Sequence, residues 1–172
     1  MNGFQKITSF VLDSSEDYIL CGTLGGCVVI LSTDRLSVIS RIRTSVGSIE
    51  VVAIHPSKPL AACLAMDHSI TLIDISQPTK PKILDRFSSR DECADNEYFE
   101  NIVPNQSLSQ ALCFHPTEAM LATRTGNGAL LELEYKNRHL VRLRANRLHD
   151  TDLITTRYVS NGQAILLSLI HI

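Results

Sequence analysis

One register recurs three times along this chain without a slip, and it constrains the fold more than any single motif does. An apolar residue opens a polar turn at Leu12, Ile54 and Phe114, in the segments LDSSE, IHPSK and FHPTE. Nineteen positions later, each time, a short apolar run ends: at Leu31, Ile73 and Leu133. A fourth copy opens at Tyr158, in YVSNG. The copies start 42, 60 and 44 residues apart (12 to 54, 54 to 114, 114 to 158). Self-similarity at a near-fixed period marks a repeat architecture, in which each unit buries its apolar face only against its neighbours.

Each copy carries the same succession of short strand signals. The first reads ITSFVL, YILCGT, CVVILS and SVISRIR. The second reads IEVVAI, LAACLAM, ITLIDI and KILDRF, and the third SQALCF, MLATRT, ALLELEY and HLVRLRA. The fourth offers LITTRYV and AILLSLI. Val, Ile, Leu, Thr and Cys fill these runs, and Gly, Pro, Asp, Asn and Ser punctuate them, as expected of strands joined by tight turns. Thr125-Gly126-Asn127-Gly128 offers the positive φ that a two-residue hairpin requires. No segment of helical length shows a 3.6-residue apolar period. Four strands in ~40–45 residues is the period of a β-propeller blade. The expected fold is therefore all-β, a partial β-propeller of four-stranded antiparallel blades in one domain. Its units span about residues 4–43, 47–87, 107–147 and 149–172, with an acidic insertion at about 88–107.

The start of the fourth unit resembles the WD-repeat family. His149 is followed at the fourth position by Leu153 and at the ninth by Tyr158, then by Val159-Ser160-Asn161-Gly162. That is similar to the opening of a WD-repeat unit: a Gly-His pair, an apolar residue, an aromatic and a Ser-Pro-Asp-Gly turn. Ile54-His55-Pro56-Ser57 and Phe114-His115-Pro116-Thr117 look like variants of the same turn. Asp67 through Asp74 resembles the family's closing pattern, with Ile73 where the family has Trp. Asn127 through Glu134 falls in the same frame with Leu133 for Trp and Glu134 for Asp, and Gly25 through Ser32 fits more loosely. The chain holds no Trp, and Leu148 replaces the Gly before His149. The family's His-to-Trp hydrogen-bond network therefore has no counterpart here.

The resemblance implies an intracellular, non-catalytic scaffold for protein–protein interaction within the cytoplasm or nucleus, whose partners are other proteins, multi-subunit complexes among them. Fold alone does not name those partners. Propellers close with roughly four to eight blades. Three and a half units leave unpaired faces, so the expectation is a part of a longer propeller, or a chain that closes against another.

Two stretches stand out as candidate contact sites. Arg90 to Asn101 holds five acidic residues, one basic residue and an aromatic pair. A solvated loop is its plain reading. Its sharper reading is an interaction loop, with Tyr98 and Phe99 as apolar anchors and Asp91, Glu92, Asp95, Glu97 and Glu100 steering a basic partner. The resemblance places that connection on the face where partners dock. Lys136 to Arg147 holds five cations and no carboxylate. Arg142 and Arg144 alternate with Val141 and Leu143, which predicts one face of an edge strand, where charge blocks sheet-to-sheet aggregation. With Arg147 they form the rival reading, an anion contact to nucleic acid or phosphoinositide. No aromatic side chain is interleaved to stack bases, so nucleic acid is the weaker partner class.

The remaining chemistry is excluded by pattern. The net charge of −2 gives no global pull toward polyanions. The five cysteines form no C-x-x-C pair and read as small buried hydrophobes in a reducing compartment. His55 and His115 occupy equivalent turns on different units and should not converge on a metal. No nucleophile elbow, P-loop or dinucleotide fingerprint is present, so no catalytic residue and no cofactor is assigned. An enzyme whose residues gather on a propeller channel is the second alternative. The nine-residue run AILLSLIHI is far short of the ~20 residues that span a bilayer.

Overall fold

The computed structural model describes residues 6–89, 111–124, 130–146 and 153–169. Three four-stranded antiparallel sheets follow one another along the chain. The first comprises β1 (Ile7–Leu12), β2 (Tyr18–Thr23), β3 (Cys27–Ser32) and β4 (Val38–Arg43), paired in that order. The second comprises β5 (Ile49–Ile54), β6 (Leu60–Ala65), β7 (Ser69–Asp74) and β8 (Lys82–Ser88). The third comprises β9 (Leu112–Phe114), β10 (Met120–Arg124), β11 (Leu130–Lys136) and β12 (His139–Asn146). A two-stranded sheet, β13 (Leu153–Val159) with β14 (Ala164–Leu169), ends the described chain. The opening strands β1, β5, β9 and β13 pack beside one another, so each sheet is a blade set radially around a common line.

Three apolar clusters lie between the blades. Blades one and two enclose Leu20, Val28, Ile30, Ile49, Val52, Cys63 and Ile73. Blades two and three enclose Val51, Leu64, Leu72, Phe114, Leu131 and Leu133. A smaller cluster of Ala111, Ala122 and Leu130, with Tyr158 and Ile165 against it, joins blade three to the final hairpin. Strand alternation makes this possible. In β6, Ala62 and Leu64 face one cluster while Ala61, Cys63 and Ala65 face the other. A strand buried on both sides reads as an unbroken apolar run, and small residues let two blades approach it. Burial pushes the Cys63 thiol up to about 11, as befits a packing group. Cys21, Cys27, Cys63 and Cys113 are all free.

Register shifts recur at equivalent places in successive sheets, although β9 pairs with β10 in unbroken register. The first-to-second strand pairing shifts at Thr8, Glu50 and Ile154, positions 42 and 104 residues apart. The third-to-fourth pairing shifts beside Leu31, Ile73 and Leu133, the positions that define the sequence repeat. Each is a β-bulge, which flips the face of the strand beyond it and increases its twist.

The first blade also shows an open face. Ile7, Phe10, Leu12, Cys21 and Leu31 stand 42 residues before Ile49, Val52, Ile54, Cys63 and Ile73, which are the residues by which blade two receives blade one. Among the former, Phe10 is 73% exposed and Ile7 and Leu12 are also exposed. Their counterparts in blade two are covered by blade one.

The turns between first and second strands are closed by a side chain. In blade one, Asp13 accepts hydrogen bonds from the backbone N–H of Ser15 at 3.1 Å and of Tyr18 at 2.9 Å. Against the upward push of burial, the bonds from Ser15 and Tyr18 hold its carboxyl below the usual range. In blade two, His55 Nδ1 does the same work, accepting from Ser57 and Lys58 N–H at 3.1 Å each. In blade three, His115 Nδ1 accepts from Thr117 and Glu118 N–H at 3.3 and 3.0 Å.

These histidines also stitch neighbouring blades. His55 Nε2–H donates to the Glu118 carbonyl at 2.7 Å, and its ring lies 5.3 Å from that of Phe114. The His115 ring meets Tyr158 edge-on at 5.0 Å. Burial, then the neighbouring Lys58 and His115, hold the His55 pKa below its ordinary value, against the Glu118 carbonyl bond that raises it. The neutral form is the one whose Nδ1 accepts two N–H groups. Stability from this ring is therefore complete above the ordinary value of about 6.5 and lost as pH falls through the lowered folded pKa. The wild-type unfolding midpoint should drop as pH is taken from 7 toward 5, and His55→Asn should flatten that part of the profile. Parallel profiles for the two chains would contradict the assignment.

Candidate interaction surface

The two stretches singled out in the sequence fare differently. Asp91, Glu92, Asp95, Glu97, Tyr98, Phe99 and Glu100 lie outside the described residues, as do Arg147, His149 and the 125–128 turn. The basic strand is described, and it departs from the expected one-face arrangement. In β12, Arg144 pairs opposite Glu132 while Arg142 pairs opposite Leu133, because the register shifts between them. Glu132 and Leu133 face opposite sides of β11, so the bulge at Leu143 assigns the two arginines to opposite sides. The same bulge lets Leu140 and Ala145, an odd spacing apart, both join the cluster between blades two and three.

Arg144 has a structural task. Its Nη2 lies 2.7 Å from Oε1 of Glu132, a carboxylate that is 2% exposed. The bond to Glu132 raises the Arg144 pKa further above its usual value. A buried carboxylate without its cation is strongly destabilising, so this guanidinium is committed to the blade. Burial, then the Glu132 charge, pushes the nearby Tyr158 phenol up, keeping it neutral.

A different surface emerges at the end of the blades where second strands turn into third and where blades connect. It is tied together by backbone bonds. Leu24 N–H donates to the Lys6 carbonyl at 2.9 Å. Thr44 and Ser45 N–H donate to the Gly26 carbonyl at 3.0 and 3.1 Å. Met66 N–H donates to the Ser48 carbonyl at 2.9 Å, and Ser89 N–H to the His68 carbonyl at 3.0 Å. Gly26 has φ +75°, and a Cβ there would lie 2.7 Å from the Gly47 carbonyl oxygen and closer still to that of Ser45. Only glycine fits.

A polar link crosses the same surface. Ser45 Oγ–H donates to Asp67 Oδ2 at 2.8 Å, and Ser69 N–H to Asp67 Oδ1 at 3.0 Å. Against the upward push of burial, the bonds from Ser69 and Ser45 hold the Asp67 carboxyl low. A serine–aspartate pair thus joins blade connection to turn in a chain without the Trp the family uses.

From this tied frame three apolar side chains project. Val46 is 85% exposed, and Leu24 and Met66 are each 57% exposed. Sequence reading passed over them. The available signal was an apolar residue inside or beside each polar turn: LGG, SVGS and MDHS.

Solved structures match this arrangement of blades. The β-propeller domain of Cps50 (Swd1) from Myceliophteria thermophila superposes with a TM-score of 0.71 at 17% identity, over 96% of this chain and 50% of that one. The fold is that of a partial β-propeller of four-stranded blades. A chain in the crystal structure of the mitotic checkpoint complex matches with a TM-score of 0.73 at 13% identity, over 94% of this chain and 47% of that one. This WD-repeat-like chain thus spans about half the length of the solved propellers it matches. No protein-family model matches it, and no curated protein sequence does. At such identities the likeness concerns the fold, and function must be argued from the surface. Among the described residues no helix is long and apolar enough to cross a membrane.

Proposed function

We propose that the chain is a non-catalytic protein-interaction module, working inside the cell as part of a larger assembly. The observation that carries this reading is the tied frame that holds Leu24, Val46 and Met66 out toward solvent. Exposed apolar side chains on a rigid support bind with little ordering cost. The polar groups with shifted pKa support the non-catalytic part: Asp13, His55 and Asp67 each close a turn or link two elements. The acidic stretch follows Ser89 in sequence, outside the described residues. Asp91, Glu92, Asp95, Glu97 and Glu100, with Tyr98 and Phe99, form the second contact set of this proposal.

A photo-cross-linking residue placed at position 46, and separately at 36 on the opposite end, tests the reading in cells. Position 46 should capture a defined set of proteins that position 36 does not, and Met66→Asp should abolish that set. The same captures at both positions, or captures indifferent to Met66→Asp, would refute it.

A further inference from the structure

The exposed apolar residues of the described chain sort by cause. Ile7, Phe10, Leu12 and Val38 lie on the open face of the first blade, and Leu166 lies on the final hairpin. Val141 and Leu143 lie on the outer strand β12. The open face accounts for the first four, and the other three lie on edge strands of their sheets. Leu36 stands alone in the turn between β3 and β4. Leu24, Val46 and Met66 remain, grouped on adjacent turns at the other end. A Cβ built on Gly47 lies 3.8 Å from Met66 Cβ, which places the residue beside Val46 against the Met66 turn. Single exposed apolar residues need no explanation, whereas a group on one rigid frame does.

Three exposed cations border this group, against one carboxylate. Lys6 is exposed and is bonded through its carbonyl to Leu24. Arg43 and Arg86 are exposed, and Arg86 Nη2 reaches the Arg43 carbonyl at 3.5 Å. Among the described residues none of the three has a carboxylate partner within ion-pair distance. The one carboxylate of the frame, Asp67, is turned inward onto Ser45 and Ser69. An apolar centre with a basic margin complements one kind of ligand.

We infer that this surface, resting on the interaction reading above, docks a short peptide segment of a partner protein that alternates apolar and acidic residues. The apolar residues sit over Leu24, Val46 and Met66, and the carboxylates meet Lys6, Arg43 and Arg86. Such a contact gains its affinity from the desolvated apolar centre and its selectivity from the charged margin.

The test uses the full chain and three short fluorescein-labelled peptides followed by polarisation. The first alternates Leu and Phe with Asp and Glu. The second replaces its acids with Lys and Arg, and the third replaces its Leu and Phe with Ser. The first should bind and the other two should not. Val46→Asp should weaken binding about tenfold or more, and Leu36→Asp at the opposite end should leave it unchanged. Both positions are exposed, so folding is preserved, and matching thermal melts verify this. Added salt should weaken binding, and the triple change Lys6→Glu, Arg43→Glu, Arg86→Glu should transfer preference to the second peptide. Binding of the second peptide to the wild-type chain, absence of binding by the first, or indifference to Val46→Asp overturns the proposal. If cross-links at position 46 persist despite such a result, the interaction reading stands and only the acidic–apolar ligand falls.

Discussion

Replacing Gly26 by valine should unfold this chain at markedly lower denaturant than any nearby substitution does. Gly26 sits at φ +75°, where a β-branched residue is strained by about 1–3 kcal/mol. The new Cβ would also meet three backbone atoms, the Ser45 carbonyl carbon at 2.9 Å, the Gly47 oxygen at 2.7 Å and the Ser45 oxygen nearer still. Backbone cannot swing aside as a side chain can, so overpacking adds about 1–3 kcal/mol more. The Gly26 carbonyl meanwhile holds Thr44 and Ser45 N–H, and any shift of the turn loosens both bonds. The sum is a large share of the 5–15 kcal/mol that stabilises a typical domain. Gly47 is the internal control. A Cβ there meets its nearest neighbour, the Asp67 nitrogen, at an ordinary 3.6 Å, so Gly47→Ala should cost little. Equal midpoints for Gly26→Val and Gly47→Ala would remove the turn from its structural role.

The turn at Gly26 also shows where sequence reading reached and where it stopped. The repeat of Leu12, Ile54 and Phe114 with Leu31, Ile73 and Leu133 was legible, because equivalent packing positions demand equivalent apolar residues. The strand run ITSFVL coincides with Ile7–Leu12, and YILCGT with Tyr18–Thr23. Small polar turns and β-branched runs carry their own local signals. The bulges were not legible. Nothing in HLVRLRA announces that Leu143 is extra, so simple alternation puts Arg142 and Arg144 on one face where the register divides them. A bulge is decided by the partner strand, which lies elsewhere in sequence. The turn histidines were recognised as equivalent, but their caps depend on where Ser57, Lys58 and Glu118 N–H point, a property of backbone geometry. Leu24, Val46 and Met66 were overlooked because their meaning is collective. Each is an unremarkable apolar residue until the blades bring their turns together.

The same register yields the sharpest contrast available in this molecule. Leu31, Ile73 and Leu133 occupy the position where WD repeats have Trp, yet their surroundings differ. Ile73 and Leu133 are fully buried, between blades one and two and between blades two and three. Leu133→Ala should therefore cost about 2–5 kcal/mol, the transfer term plus the cavity left between two blades that cannot collapse together. Introducing the family residue should also destabilise at these sites. Ile73→Trp forces extra volume against Ala61 and Ala65 of β6, alanines already packed in the same cluster, at about 1–3 kcal/mol. Leu31 faces the open side of blade one and is only half-buried, so Leu31→Trp should be tolerated. Urea unfolding of the three variants tests the ordering directly: Leu133→Ala and Ile73→Trp below wild type, Leu31→Trp near it. If Ile73→Trp were the more stable chain, the blades would be spaced for the family's large side chain and the tight two-sided packing of β6 would be wrong. If Leu31→Trp destabilised as strongly as Ile73→Trp, the first blade's outer face would be filled, and Phe10 could not stand as exposed as it does.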